Sequence, residues 1–336
     1  MIALIRQTKL RWAITGVAFM TLLASFCHPA TAAEKWDLYI YNAVSTVGAV
    51  RGLNRMIEAI EKDTDGAVTI RLHLGGSLPI NTTTITQAVG DGVVHMGDDG
   101  YFLGNVPIGG VLRLPMLIRT REEYQKAAVV LDPYINRAFE KKGIIVLGQY
   151  LYPFQVAFSR RELTKLADIK GQKLRVTSPE QGEFVKRLGG AAVTIGAPEV
   201  PSALDRGVVD GVFTASTGGG NIWKDLLKYN YRIGVNYFNS IVIVNKEVFD
   251  KLAPDVQGKL RKAVTDAMPW ITATMESEEE DVTQKMAAGG MIVTRPKPEE
   301  VAEAERILVS YWDEWAKTKG PDAIEALKQV RAVLGR

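Results

Sequence analysis

The sequence predicts an α/β fold arranged in two lobes. Short apolar or alternating stretches, typical of strands, take turns with stretches of helical periodicity along most of the chain. Such an alternation favours parallel strands joined by helices. Because no long linker and no internal repeat interrupts this order, we expect the chain to cross several times between the lobes, rather than to form two consecutive, separate domains. Behind the first 33 residues about 300 remain, enough for two domains.

The first half of the chain opens on an alternating segment at 35–42 (KWDLYIYN), which predicts a strand. A helix over 47–64 follows, with apolar side chains on one face and Gly66 behind its end. The other predicted elements of this half are a strand at 68–74, a helix at 80–90, a strand at 93–96, a helix at 122–142, and strands at 144–151 and 154–159. We expect the strand at 154–159 to cross between the lobes.

The second half begins with a compact strand and helix alternation and ends in helices. Pro198 precedes one of the helices, at the position where proline is favoured. The predicted strands lie at 173–176, 191–195, 208–213 and 239–245, the last returning to the first lobe, and the predicted helices at 180–188, 200–206, 223–227, 246–251, 254–286 and 299–317. The aromatic side chains of the last helix have helical spacing, which predicts packing in the core.

The first 33 residues predict a cleaved signal peptide. Three basic residues precede an apolar run at 13–26, and Ala-Thr-Ala at 30–32 is a small-residue cleavage pattern. An uncleaved membrane anchor is the alternative, but the apolar run is shorter than the roughly 20 residues that a spanning helix needs. We therefore expect a mature chain in the periplasm that begins near Ala33 or Glu34.

Removal of this peptide changes the charge and the thiol content of the protein. The precursor has 41 Lys and Arg against 38 Asp and Glu, and the peptide removes three basic residues, so that the mature charge is near zero. A neutral balance argues against a nucleic-acid or anionic-membrane partner. Cys27, the single cysteine, leaves with the peptide, so neither a disulfide nor a thiolate site is expected.

The residues that commonly carry catalysis or bind metals are scarce. His73 and His95 are the histidines outside the signal peptide, and each lies in its own strand pattern, which favours a structural role. No nucleophile elbow, phosphate-binding loop or dinucleotide fingerprint occurs. Asp98-Asp99 is interpreted as a turn rather than a cation site, and the acidic run at 276–281 as a solvated helix face. We expect neither an enzyme nor a cofactor or metal.

Arg175 is the strongest candidate for function. It lies at the end of a predicted strand (KLRV, 173–176), where ligands collect in α/β domains. Its guanidinium is always charged and matches a carboxylate with two parallel hydrogen bonds. From the residues alone, capture of an anion and a structural salt bridge are equally good interpretations.

The segments around this arginine resemble the solute-binding proteins of TRAP transporters, the tripartite ATP-independent periplasmic family. The matching segments are DIKGQKLRV (168–176), EVPSALDRGVVDG (199–211), IVNKEVFDKLAPDVQ (243–257), GGSLP (75–79) and GVVHMGDDG (92–100). The resemblance runs along essentially the whole mature chain, and the first two segments together are its most specific part.

This resemblance implies a periplasmic-binding-protein architecture, with crossing strands and a long helix that spans both lobes. Lobe I is expected to contain 34–154 and 243–285, and lobe II 155–242 and 286–336. The resemblance also implies a monomer that closes on an organic acid and delivers it to a membrane permease of two unequal subunits, driven by an ion gradient. In the family, the arginine at the position of Arg175 binds the ligand carboxylate.

Two positions depart from the pattern of the family. Many members have a second arginine on the crossing strand, where this chain has Gln155, and an asparagine after the second motif, where this chain continues with Phe213 and Thr214. Together with Tyr237, Tyr101 and Trp223, Phe213 suggests a flat or apolar ligand, such as an aromatic or branched hydroxy or keto acid. The remaining candidate ligand-binding residues lie at predicted strand ends, where each is equally a turn or cap residue: Asn42, Ser45, Asp99 and Asn239.

Three other functions remain open from the sequence. A sensor that presents its closed form to a receptor has the same features as a transport protein. An exported hydrolase or lyase is disfavoured by the scarcity of histidine and the lack of a nucleophile motif. A binding protein of an ATP-driven transporter would require a neighbouring ATPase gene.

Overall fold

Two β-sheets organise residues 33–336, the part of the chain that the computed structural model describes. The predicted signal peptide and Cys27 lie outside these residues, apart from Ala33. The strands are β1 Glu34–Ile40, β2 Val68–His73, β3 Met96–Asp99, β4 Ile144–Tyr152, β5 Val156–Ser159, β6 Lys173–Val176, β7 Ala191–Thr194, β8 Gly211–Thr214, β9 Tyr229–Tyr231, β10 Phe238–Asn245 and β11 Ile292–Thr294. The α-helices are α1 Gly48–Asp63, α2 Ile85–Gly90, α3 Arg121–Glu140, α4 Pro179–Arg187, α5 Val200–Asp205, α6 Lys246–Asp250, α7 Pro254–Ala288, α8 Pro298–Arg306, α9 Val309–Lys319 and α10 Pro321–Leu334.

The first sheet has the strand order β2-β1-β3-β10-β4. Strands β1, β2 and β3 are parallel, and β10 is antiparallel to both of its neighbours, β3 and β4. Every residue of β10 is buried, in keeping with its apolar sequence FNSIVIVN and its position between two strands.

The second sheet has the order β11-β9-β5-β8-β6-β7. Strands β6, β7 and β8 are parallel, and β5 is antiparallel to β8 and β9. The chain passes from the first sheet to the second between β4 and β5 and returns between β9 and β10. The predicted α/β fold with crossing strands is therefore confirmed.

The long helix α7 connects the two sheets. It packs on α1 and β4 of the first sheet layer and on the segment Ser216–Gly220 behind β8 of the second. Its 35 residues confirm the helix predicted at 254–286. Within residues 33–336, no helix has the combination of length and apolar character that crossing a membrane requires.

Several predicted elements shift or divide. The strand predicted at 93–96 lies at Met96–Asp99, because Val93 is 66% exposed in the turn before it. The interpretation of Asp98-Asp99 as a turn is therefore wrong, since both residues are buried in β3. The helix predicted at 299–317 consists of α8 and α9, and α10 was not predicted.

The expected lobe boundaries also move. The boundary at residue 243 falls inside β10, which pairs with β4 from Phe238 onward, so the return to lobe I precedes residue 238. Helix α10 packs on α3, which itself packs on β4. The end of the chain thus lies against the first sheet layer rather than in lobe II, because the apolar face of α10 is buried there. The remainder of the lobe assignment stays a prediction.

Candidate functional site

A cavity lies between the carboxyl ends of the parallel strands of both sheets. It contains about 390 Å³ of space between atoms, including its open mouth. Its lining residues come from both sheets and from the segments that follow their strands: Tyr41, Asn42, Tyr101, Tyr152, Gln155, Arg175, Thr177, Ala197, Thr214, Gly218, Gly219, Ile222, Trp223 and Phe238. Strand ends of this kind are where α/β proteins bind ligands.

Arg175 is the one lining residue with a charged side chain, and it is only 2% exposed. Its Nε donates to the carbonyl of Ile195 (2.8 Å) and its Nη1 to the carbonyl of Phe213 (3.1 Å). Its Nη2 donates to the hydroxyl of Tyr101, a residue of the opposite wall. A guanidinium has five N–H donors, so one donor on each terminal nitrogen has no protein acceptor among the described residues.

No carboxylate of the described residues pairs with this guanidinium. None of the ion pairs within residues 33–336 involves Arg175. The Trp223 ring lies 5.6 Å from its central carbon, in the range of a cation–π contact. A buried cation normally has an anionic partner, and Arg175 keeps one unused donor on each terminal nitrogen for one.

Three other predicted site residues line the cavity with Arg175. Asn42 Nδ2 donates to the Tyr152 hydroxyl at 2.8 Å. The Gln155 amide donates to the carbonyl of Pro153 at 3.2 Å. The Thr214 hydroxyl accepts from the amide of Gly219 at 3.0 Å and thereby fixes the segment that forms one wall.

The other five predicted site residues do not line the cavity. Phe213 points into the core and packs at a right angle on Phe184, because side chains alternate along β8 and Thr214 takes the cavity face. Tyr237 stacks on Phe154, with ring centroids 4.1 Å apart. Ser45 is exposed, and Asp99 and Asn239 are buried behind the wall.

The first sheet contributes an aromatic wall that was mostly missed from the sequence. Tyr41, Tyr101 and Tyr152 each contact Phe238 edge to face, with ring centroids 5.5–5.9 Å apart. Tyr237 and Asn239 were predicted instead of Phe238, an error of one position, and one position reverses the face of a strand. The signal that could have found these residues is their place at strand ends: β1 ends just before Tyr41, and Phe238 pairs with Tyr152.

A second arginine is buried behind this wall. Arg113 is fully buried, donates from Nε to Asn239 Oδ1 (2.8 Å) and from Nη2 to the carbonyl of Gly100 (2.8 Å), and lies 4.3 Å from the centroid of the Phe238 ring. Its Nη1 has no hydrogen-bond partner among the described residues. Asn239 therefore holds Arg113 rather than a ligand, and Phe238 separates this second cation from the cavity.

Asp98 and Asp99 support the same wall from inside the sheet. Asp99 accepts from the Thr86 hydroxyl (2.6 Å) and from the amide of Tyr101 (2.8 Å), which fixes the residue that contacts Arg175. Asp98 accepts from Tyr150 (2.8 Å) and Ser240 (2.5 Å). Burial raises the pKa of Asp98 to about 7 and that of Asp99 to about 6, against the opposing effect of these hydrogen bonds.

These pKa values make stability fall as pH rises. Between the ordinary pKa of 3.8 and about 7, the folded protein holds a proton on Asp98 that the unfolded chain has lost. The stabilising contribution is therefore complete below the unfolded pKa and disappears as pH rises through the folded pKa. We expect Asp98→Asn, which mimics the protonated acid, to flatten this decline. The check is urea unfolding across that pH range, with the exposed Asp225→Asn as the control; parallel curves for Asp98→Asn and the wild type would contradict the expectation.

A clamp from the long helix holds the wall of the second lobe. Glu279 accepts from the amides of Ser216 and Thr217, both at 2.9 Å, and pairs with Arg232 at 3.0 Å. The side chains of Glu279 and Arg232 are 12% and 11% exposed. The clamped segment, Ser216–Gly220, packs so closely that a Cβ on Gly219 would lie 2.1 Å from the Trp223 ring. Glu279 is thus not part of a solvated face, as the acidic run had suggested.

The two histidines predicted to be isolated both contact Asp37, one at its carboxylate and the other at its backbone amide. His73 Nε2 lies 2.6 Å from Asp37 Oδ1, and His95 Nδ1 accepts from the amide of Asp37 at 2.9 Å. They meet because β1 lies between β2 and β3. Within residues 33–336, no three histidine, cysteine or acidic side chains are arranged to hold a metal ion.

Comparison with known proteins identifies the family. The model of the family described as bacterial extracellular solute-binding protein, family 7, matches residues 45–318. The chain belongs to this family. The prediction of a TRAP-type solute receptor is confirmed, and with it an extracytoplasmic solute-binding role.

Curated relatives and solved structures cover most of this solute-binding protein. The C4-dicarboxylate-binding periplasmic protein of Rhodobacter capsulatus is 27% identical over 296 residues, which is 84% of this chain and 86% of the relative. An extracytoplasmic solute receptor of Bordetella pertussis that binds pyroglutamic acid has a TM-score of 0.82 at 24% identity and covers 89% of this chain and 100% of its own. A TRAP solute-binding protein of Ralstonia eutropha with bound (S)-2-acetolactate has a TM-score of 0.82 at 22% identity and covers 90% and 99%. These structures show that the fold is shared.

Proposed function

We propose that this solute-binding protein captures a small organic acid through Arg175 and delivers it to a TRAP-type permease. The observation that carries the proposal is a buried guanidinium without a carboxylate partner, with one unused donor on each terminal nitrogen, facing a cavity. A ligand carboxylate supplies the missing anion and accepts both donors. The structural salt bridge, the alternative from the sequence, has no acidic partner among the described residues.

Capture proceeds by closure of the two sheet layers on the acid. Arg175 belongs to the second sheet, and the hydroxyl that it contacts belongs to Tyr101 of the first. A ligand that contacts both walls favours the closed state over the open one. In the closed cavity water is excluded, which strengthens the hydrogen bonds between the guanidinium and the carboxylate. The permease then receives the closed form, and an ion gradient drives uptake.

The wall of the first sheet favours a flat ligand. Phe213 and Tyr237 no longer support this preference, because they point away from the cavity. Five aromatic rings line the cavity and support the preference instead: Tyr41, Tyr101, Tyr152 and Phe238 from the first sheet, and Trp223 from the second. An aromatic or branched hydroxy or keto acid is therefore the ligand class that we propose. The first 33 residues act in this proposal as a cleaved signal peptide that exports a monomer to the periplasm.

A thermal-shift screen of organic acids tests the proposed function. The panel contains the acids that relatives bind, namely pyroglutamate, galacturonate, orotate, acetolactate and C4-dicarboxylates, together with aromatic hydroxy and keto acids. A ligand at a hundredfold excess over its Kd stabilises the native state by about 2.7 kcal/mol. We expect at least one acid to raise the melting temperature. The amides and alcohols of the same skeletons serve as controls without a carboxylate, and equal shifts for these controls would contradict the proposal.

A further inference from the structure

We propose that the ligand of this cavity is a monoanion, with one carboxylate at Arg175 and a neutral hydrogen-bonding group at the opposite end, against Tyr41 and Asn42. Dicarboxylates are then poor ligands. This inference rests on the proposed function, since it concerns the ligand of the same site.

The charges of the cavity match one carboxylate and no more. Arg175 is the one basic residue among those that line it, and the other lining residues carry no charge at neutral pH. Arg113 does not supply a second cation to the ligand, because the Phe238 ring covers it and Arg113 is not among the residues that line the cavity. A second carboxylate would be buried without a counter-charge, and burying an unpaired charge costs several kcal/mol.

The wall opposite Arg175 offers neutral hydrogen-bonding groups. The Tyr41 hydroxyl is buried and has no hydrogen-bond partner of normal geometry among the described residues, although Tyr152 is its neighbour. Asn42 uses its amide nitrogen on Tyr152 and keeps its oxygen as an acceptor. A buried hydroxyl without a partner costs stability. A hydroxyl, ketone or amide of the ligand satisfies Tyr41 without bringing a charge into the cavity.

The hydroxyls at this end of the cavity stay neutral. Burial raises the pKa of the Tyr41 hydroxyl and that of the Tyr152 hydroxyl. Behind them, Asp98 accepts from Tyr150 and Ser240, and burial raises its pKa to about 7, so that it is no fixed charge near neutral pH. The end opposite Arg175 therefore offers hydrogen bonds to a ligand but no counter-charge for a second carboxylate.

The cavity is thus positive at one end, and the side chains that line the other end are neutral. Few side chains separate the ends, since Arg175 contacts Tyr101 and the ring of Tyr101 lies 5.4 Å from that of Tyr41. A compact acid with its single charge at one end fits this polarity. The Rhodobacter capsulatus relative, by its name, binds C4-dicarboxylates, and this inference separates the present chain from it.

Pairs of ligands that differ only in one charge test the inference. Succinate is compared with its half-amide succinamate, glutarate with glutaramate, and phthalate with phthalamate, by calorimetry at neutral pH. We expect the half-amide to bind at least about tenfold more tightly in each pair that binds, which corresponds to about 1.4 kcal/mol. Dicarboxylates that bind as tightly as their half-amides, or more tightly, would overturn the inference.

The same titrations with Arg175→Ala separate this inference from the proposed function. If dicarboxylates bind tightly and Arg175→Ala abolishes this binding, the proposed function stands and the inference of a monoanionic ligand is overturned. Binding that Arg175→Ala does not change, or no binding by any acid of either panel, contradicts the function and the inference together. Two results together support both proposals: the wild type prefers half-amides, and Arg175→Ala loses the binding of these half-amides.

A second cation in the cavity should reverse the preference. Gln155→Arg introduces one at a lining position, and we expect the ratio of half-amide to dicarboxylate affinity to fall at least about tenfold. Val129→Arg adds the same charge at a position that is 74% exposed and does not line this cavity, and is the matched control, with an unchanged ratio. An unchanged affinity ratio in a folded Gln155→Arg protein would count against the inference. If this variant does not fold, the ligand pairs measured on the wild type still test the inference.

Discussion

Arg175→Ala is expected to weaken binding of the captured acid by at least about 30-fold. Removing one partner of a buried charge-assisted pair typically costs about 2–5 kcal/mol, and each 1.4 kcal/mol changes the affinity about tenfold. The ligand carboxylate would be buried without its cation. The measurement is calorimetry with the acid that gives the largest thermal shift.

Two further variants sharpen this test. Arg175→Lys is also expected to bind poorly, because an ammonium is a point charge that cannot donate two parallel hydrogen bonds while also reaching the carbonyls of Ile195 and Phe213. Arg206→Ala removes an exposed arginine that takes part in no ion pair of the described residues, and its affinity should equal that of the wild type. Wild-type affinity in Arg175→Ala, with an intact melting curve, would show that the site has been assigned to the wrong residue.

Glu279→Ala is expected to lower the free energy of unfolding by about 3–5 kcal/mol, the usual cost of removing one partner of a buried ion pair. Arg232 would remain buried without its anion, and the amides of Ser216 and Thr217 would lose their acceptor. Because this segment forms a wall of the cavity through Gly218 and Gly219, we also expect weaker binding of the acid.

The neighbouring Glu278 provides a matched control on the same helix. It pairs with Arg51 at 2.6 Å, but both side chains are 41% exposed, and exposed pairs contribute only about 0–1 kcal/mol. Urea unfolding should therefore separate Glu279→Ala clearly from Glu278→Ala. Equal losses for the two variants would refute the clamp.

The sequence predicted the positions of the strand ends well, but it predicted less well which side of each strand the side chains occupy. Four predicted site residues line the cavity: Arg175, Asn42, Gln155 and Thr214. Three of them lie at or near the carboxyl end of a parallel strand, and Gln155 precedes β5, which is antiparallel and so begins at the same edge. A residue at this edge is near the ligand whatever the details of packing. Phe213, Tyr237 and Asn239 each lie one position from a lining residue. Facing alternates at every residue of a strand, and the apolar runs of β8 and β10 are buried on both sides, so that no polar alternation marks the inner face.

Contacts between distant segments account for the rest of what was missed. Glu279 lies in an acidic run typical of a solvated helix, and only the packing of α7 on the segment behind β8 buries it against Arg232. His73 and His95 looked isolated because their strands are separate in the sequence, but both strands pair with β1. Arg113 had no motif around it, and its burial became visible only with Phe238 and Asn239 beside it.

By itself the sequence determined the α/β class, the family and the arginine that faces the cavity, since periodicity and short motifs are local properties of the chain. The tertiary structure decided which carboxylates are near that arginine, which aromatic rings form the wall and where the second cation lies. These depend on contacts between residues that are far apart in the chain, such as Arg113 and Asn239, which are 126 residues apart. Charge balance in a buried site is a sum over all neighbours in space, and for that reason the proposal on the charge of the ligand rests on the fold and not on the order of residues.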